Sequence, residues 1–512
     1  MAIDQEVARS ADVDSRIGTG SDVGPESKDH SPRRRRFAIA AFAALLAFAS
    51  TAAGATLLSP RADVRSAGTA QQSADNTPDL ASSLAGSSTG LGPLPGSGAT
   101  HATEISSGAE SATLLATRTE NLIRYYESRA ATVRDATELR VLASLYLARG
   151  RVTGDAATYL RAQAAATRAQ DIAPNDPEVI SILASADATL HEFGTARALG
   201  ERVLGDHPSA FGARAIVGDA ALETGDYETA ARSYAALAAV LANNSGVLVR
   251  QARLASINGD LARARTLAAR ASAAAVTEGA FGTTLAFPRA FQGKLALDAG
   301  QYAAAEAFYG GALQAADGWH VALAGLARAR AARGDLAGAI VSLQQAIDVV
   351  PLPEYLAALG DALTARGNDR AARSAYATVE ATASLAGSRL YDRQRVLYLA
   401  DHATSPDART AHAVSLARDE LTGRKDVFGY DALAWALFAD GRAQEALPYL
   451  AQSLALRTED PVLHFHAGMI YAATGNKVSA IVELRQALSQ SPHFDLVGAR
   501  RAQAKLTSLT TG

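Results

Sequence analysis

Three short strings in this 512-residue chain carry residue types that catalysis or ligand binding uses. Gly86-Ser87-Ser88-Thr89-Gly90 has the G-x-S-x-G spacing of a serine nucleophile elbow. That chemistry needs a strand before the serine and a helix after it, so that the hydroxyl stands on a strained turn. Here the string lies in a run of Ser, Gly, Ala, Thr and Pro, and the match reads as chance. Gly293-Lys294 imitates the end of a phosphate-binding loop, but Leu295 stands where a Ser or Thr is required. His464 and His466 are two residues apart, which sends them to different faces of a helix rather than to one metal. No H-E-x-x-H string and no EF-hand loop occurs. The chain has no cysteine, so it has no disulfide, no thiolate metal site and no cysteine nucleophile. Acidic residues stand mostly where turns and helix caps need them, as at Asp226, Asp260 and Asp335. The sequence therefore predicts no enzyme, no metal and no cofactor.

The elements behind these residues are set by an alanine that keeps returning. It stands at Ala162, Ala196, Ala230, Ala264, Ala305, Ala339, Ala372, Ala411, Ala446 and Ala480, in steps of 34, 34, 34, 41, 34, 33, 39, 35 and 34. A period near 34 is one helix-turn-helix unit of a solenoid. Gly-Asp or Gly-Asn often precedes the alanine, as in Gly225-Asp226, Gly259-Asp260, Gly334-Asp335, Gly367-Asn368 and Gly475-Asn476. The last unit carries the fullest set, with Gly468, Tyr471, Gly475, Ala480, Ala487 and Pro492. Small residues let paired helices approach closely, large ones fill the gaps between pairs, and proline ends the second helix. This pattern resembles the tetratricopeptide repeat (TPR) family over roughly 370 residues. The resemblance implies an all-α fold, a right-handed solenoid of about ten repeats over 138–493. A leading helix is expected over 108–137, with apolar residues at Leu114, Leu115, Leu122, Ile123 and Tyr126, and a capping helix over 494–512. Two irregularities are expected to lengthen connections, Val152-Thr153-Gly154 in the first unit and Gly279 to Thr284 in the 41-residue step, and the 39-residue step before Ala411 belongs to a degenerate unit whose turn reads Thr404-Ser405-Pro406-Asp407.

The N-terminal part has a different composition. Residues 1–36 lack apolar periodicity and read as a disordered cytoplasmic tail ending in Arg33 to Arg36. Phe37 to Leu58 is uncharged and, at 22 residues, long enough to span a bilayer. The excess of arginine before it places the N-terminus inside and the repeats outside. A second reading stays open: Ala53-Gly54-Ala55 has the form of a signal cleavage site, and Arg34-Arg35-Arg36-Phe37 resembles a twin-arginine export signal. Either way the repeats are exported, on an anchor or as a secreted or periplasmic protein. Residues 59–107 have the composition of a flexible linker. A net charge of −3 with 20% charged residues implies no general attraction to nucleic acid or acidic lipid.

In the TPR family the first helix of each pair lines a concave groove. Carried onto this numbering, that pattern implies groove positions at Lys294, Arg328, Asp361, Asp431, Trp435, Phe438, Phe465 and Met469. The helix near 428–438 is apolar on two faces, so it must bury both or offer one to a ligand. Phe428, Asp431, Trp435, Phe438, Phe465 and Met469 are accordingly the candidate partner-binding residues. The opposing reading is that these aromatics pack internally, against neighbouring helices or the capping helix. The expected function is a non-catalytic scaffold on the outer side of the cytoplasmic membrane, binding a protein or peptide in its groove, with no nucleic acid and no evident small-molecule substrate. A regulatory subunit of an envelope enzyme complex is the alternative.

Overall fold

The computed structural model describes residues 108–386 and 392–511, which form 22 helices and no strand. The tail, the apolar run 37–58, the linker and the Gly86 string lie outside the described residues. No described helix is long and apolar enough to cross a membrane.

Helix α1 (Gly108–Thr132) leads into ten successive hairpins. The first five pair α2 (Ala136–Thr153) with α3 (Ala156–Ile172), α4 (Pro177–Thr189) with α5 (Phe193–Asp206), α6 (Phe211–Glu223) with α7 (Tyr227–Val240), α8 (Ser245–Ile257) with α9 (Leu261–Thr277), and α10 (Gly282–Asp298) with α11 (Tyr302–Ala315). The next five pair α12 (His320–Ala332) with α13 (Leu336–Val349), α14 (Pro353–Ala365) with α15 (Asp369–Ala386), α16 (Asp392–Asp401) with α17 (Ala408–Gly423), α18 (Val427–Ala439) with α19 (Ala443–Ser453), and α20 (Pro461–Ala473) with α21 (Lys477–Gln490). Helix α22 (Gly498–Thr511) closes the array.

In four of the hairpins the turn follows from the Gly-Asp or Gly-Asn phrase. Gly225, Gly259, Gly334 and Gly475 take φ of 81°, 74°, 87° and 81°, left-handed values that a Cβ penalises. The next residue caps the second helix: Asp226, Asp260, Asp335 and Asn476 accept from the backbone N–H groups of Thr229, Arg263, Gly338 and Ser479. Four residues after that cap comes the recurring alanine, fully buried at Ala230, Ala264, Ala339 and Ala480. Further along, a tyrosine ring lies over a glycine of the first helix. A Cβ at Gly218 would stand 2.7 Å from Tyr234, and one at Gly293 would stand 2.8 Å from Tyr309. The Tyr234 hydroxyl then donates to Asp219 at 2.9 Å and that of Tyr376 to Asp361 at 2.7 Å.

The expected irregularities resolve differently. In the first hairpin the extra residues extend α2 through Thr153, leaving Gly154 and Asp155 as the turn. The 41-residue step is likewise absorbed by lengthening: α9 and α10 each run 17 residues, and the connection shrinks to 278–281. Helix propagation adds a hydrogen bond per residue, which an open loop of the same length forgoes. Thr404 to Asp407 does form a turn, ending in a capping box between Asp407 and Thr410. There the alanine phase slips, because Ala411 is exposed and Thr410 and Ala413 take the buried face.

The hairpins wind until one turn of the superhelix rests on the next. The turn inside the third hairpin meets the connection after the eighth, where the backbone N–H of Val427 donates to the Tyr227 hydroxyl at 2.9 Å. The fourth meets the connection after the ninth, where the Thr458 hydroxyl donates to the Ile257 carbonyl. The fifth meets the segment after the tenth, where Ser491 donates to the Leu297 carbonyl at 2.9 Å and the His493 backbone to the Tyr302 hydroxyl at 2.7 Å. At the first, a Cβ on Gly154 would lie 3.3 Å from Val350, in the connection after the sixth. The register is constant: the turns of the first, third, fourth and fifth hairpins each pack on the connection five hairpins further on.

Candidate docking groove and inter-turn pocket

Seven residues before each second-helix cap lies the row that the TPR resemblance assigns to the groove. In five consecutive hairpins it is charged: Asp219, Arg253, Lys294, Arg328 and Asp361. In the last three it is apolar: Ala400, Trp435 and Met469. These three share a core cluster with Phe465 and with Phe494, Ala499 and Ala502 of the C-terminal segment. Helix α22 and the residues before it therefore cover the row where it turns apolar.

This placement decides the character of the aromatic patch. Trp435 is fully buried, Phe465 and Met469 are buried, and Phe428 and Phe438 are half-buried. Asp431 is buried too, with Oδ2 2.9 Å from His466 Nδ1. Trp435, Phe438, Phe465 and Met469 are brought together as packing in one cluster with the C-terminal segment, and Phe428 is not part of it. Trp435 stacks on His466 at 4.0 Å and on Phe438 at 4.8 Å, and the Arg501 guanidinium of α22 lies 5.2 Å from its ring centre. Its indole N–H donates to Asp401 at 2.8 Å. Burial pushes the Asp401 carboxyl up to about 6, against the opposing effect of His466. Burial works against a charged His466, but Asp431 outweighs it and raises the imidazole above its ordinary value. His464 pairs separately with Glu483 at 2.6 Å, so the two histidines do diverge.

Most of the charged row is occupied by partners within the fold. Asp219 holds Arg250 at 2.9 Å, Arg253 holds Glu223 at 2.6 Å, and Asp361 accepts from Tyr376 at 2.7 Å and lies 2.9 Å from His402 Nε2. Glu223 also reaches the second turn, where Arg424 lies at 2.7 Å. Arg393 joins Glu420 at 2.6 Å and Asp426 at 2.8 Å beside it. Pairing of this kind is what allows charges to be buried at all. The sequence carried Lys294, Arg328 and Asp361 to the groove but offered no sign of Glu223 with Arg424, because partners 201 residues apart leave no local pattern.

Where the fifth and sixth hairpins meet the tenth, a cavity of about 90 Å³ opens between the turns. Lys294 and Asp298 line it from α10, Arg328 from α12, and Asp460 from the cap of α20. Among the described residues no group of three His, Asp or Glu side chains could hold a metal ion.

No family model matches the chain, and no curated protein matches it. Solved structures do. The Cut9–Hcn1 hetero-tetramer of the APC/C is 13% identical, covering 78% of this chain and 94% of that one with a TM-score of 0.29. A tetratricopeptide repeat protein from Parabacteroides merdae is 13% identical, covering 47% and 91% with a TM-score of 0.35. A human IFIT1 dimer with PPP-AAAA is 14% identical, covering 73% and 87% with a TM-score of 0.42. In its capped turns, buried alanines, tyrosine-over-glycine contacts and ten successive hairpins, this chain is itself an α-solenoid that resembles tetratricopeptide repeat proteins.

Proposed function

We propose that the chain is a non-catalytic scaffold that holds a protein or peptide partner along its first-helix row. The observation that supports this is the row itself, charged through five consecutive hairpins and then capped by α22. A polar partner can trade hydrogen bonds with such a surface, and a frame locked by contacts between turns loses little freedom on binding. Trp435, Phe465 and Met469 are engaged by the C-terminal segment, so in this reading the partner meets the charged stretch where it is open, at exposed Arg328. Residues 37–58 would hold the array outside the cytoplasmic membrane, with 59–107 setting its reach.

A photo-crosslinking residue at Ser185 or Arg328, in the row, is compared with one at Val240, which is 62% exposed on a second helix. A partner captured from the row positions and not from Val240 supports the groove. Capture from Val240 alone overturns it. Intact mass of the same samples separates the anchored form from one that begins near Thr56.

A further inference from the structure

The cavity between the turns is lined by side chains of both charges. Four charged side chains line it, two cationic and two anionic, and they are not all spent on one another. Lys294 Nζ lies 2.5 Å from Asp298 Oδ2, which satisfies that pair. Asp460 uses Oδ1 to cap the Val462 backbone N–H at 2.9 Å, while its Oδ2 stands 3.7 Å from Lys294, too far for a hydrogen bond. Arg328 is exposed and has no hydrogen-bond or ion-pair partner among the described residues. The Arg328 guanidinium and Asp460 Oδ2, the latter held only by its 3.7 Å ion pair with Lys294, therefore line the cavity without a hydrogen bond, from opposite turns of the superhelix. Leu297, Val462 and Phe494 supply an apolar wall.

An anion alone would satisfy Arg328 while facing Asp298 and Asp460. A cation alone would satisfy Asp460 while facing Lys294 and Arg328. A ligand with a carboxylate and an ammonium a few ångströms apart meets both demands and adds no net charge, and a volume of about 90 Å³ accommodates several waters or one small molecule. We propose that this inter-turn pocket binds a free α-amino acid, with its carboxylate on Arg328, its ammonium on Asp460 and its side chain on the apolar wall. The bound amino acid ties α12 to α20 and so links the two turns at a point where no direct bond joins these residues.

The test is calorimetric titration of the full chain at pH 7.5 with L-alanine, beside acetate and ethylamine as single-charge analogues. L-alanine is expected to bind saturably and at least tenfold tighter than either analogue. Arg328→Met, at an exposed and unpaired position, should keep the thermal midpoint and weaken alanine at least tenfold. Asp460→Asn, which still caps α20, should weaken it similarly. Hydrogen exchange at 491–494 should slow with L-alanine in the parent chain and not in Arg328→Met. Absence of alanine binding, acetate or ethylamine binding as tightly, or an unchanged affinity in Arg328→Met each overturns the proposal.

Discussion

Arg424 Nη2 donates to Glu223 Oε2 at 2.7 Å across 201 residues of sequence, with both side chains buried. The same carboxylate receives Arg253 on its other oxygen, so one acid joins two helices of the first turn to the second. Arg424 keeps Glu420 at 3.5 Å and Glu223 keeps Arg253, so removing either end breaks part of a buried network rather than a lone pair, at a cost of at most about 3–5 kcal/mol. Glu223→Gln and Arg424→Met are each expected to lower the denaturation midpoint by that order. Replacing both by Met should cost less than the sum of the singles, while Arg253 stays short of its carboxylate. A double variant as unstable as the sum of the singles would show that the two do not act as a pair.

Two glycines separate backbone strain from contact between turns. Gly225 and Gly334 are both left-handed, with φ of 81° and 87°. A Cβ on Gly334 would meet nothing within 4 Å, whereas one on Gly225 would collide with the backbone carbonyl of Lys425. Gly334→Ala should cost about 1–2 kcal/mol, the strain of a left-handed L-residue alone. Gly225→Ala should cost more and should loosen the segment near Lys425 in hydrogen exchange. Equal costs at the two positions would mean that the turns do not press on one another.

Trp435→Ala removes the side chain on which His466, Phe438 and Arg501 converge. A loss of about 3–5 kcal/mol is expected for a buried aromatic truncation. Amide protection along α22 should fall with it. Unchanged stability and unchanged protection would return Trp435 to the list of surface residues available to a partner.

Glu354 offers a test by pH. Both carboxyl oxygens are enclosed without a partner, and burial raises its pKa from 4.5 to about 8. The fold therefore holds the proton that the unfolded chain gives up. Its contribution is fully present below about pH 4.5 and is lost as pH rises through 8. Glu354→Gln keeps the neutral form at every pH, so its thermal midpoint should exceed that of the parent by a margin that grows from pH 5 to pH 8.5. A margin that stays flat over this range would place the carboxyl in water.

The hairpins were legible because everything that makes them lies within 34 residues. Gly259-Asp260 states a left-handed turn and a cap, and Ala264 states a close helix approach, with no reference to distant parts of the chain. The patch around Trp435 was legible only as a choice. A helix with apolar residues on two faces predicts that both find cover, but the pattern is the same whether the cover is a partner or α22. Ala411 was misread because the period continues by count where the cap at Asp407 and Thr410 shifts the buried face. The contacts between turns, and the pocket they enclose, had no signal at all. They arise from a small rotation between neighbouring hairpins, summed over five of them, until Glu223 and Arg424 meet. That sum is a property of the whole stack of packed helices, and no single repeat records it.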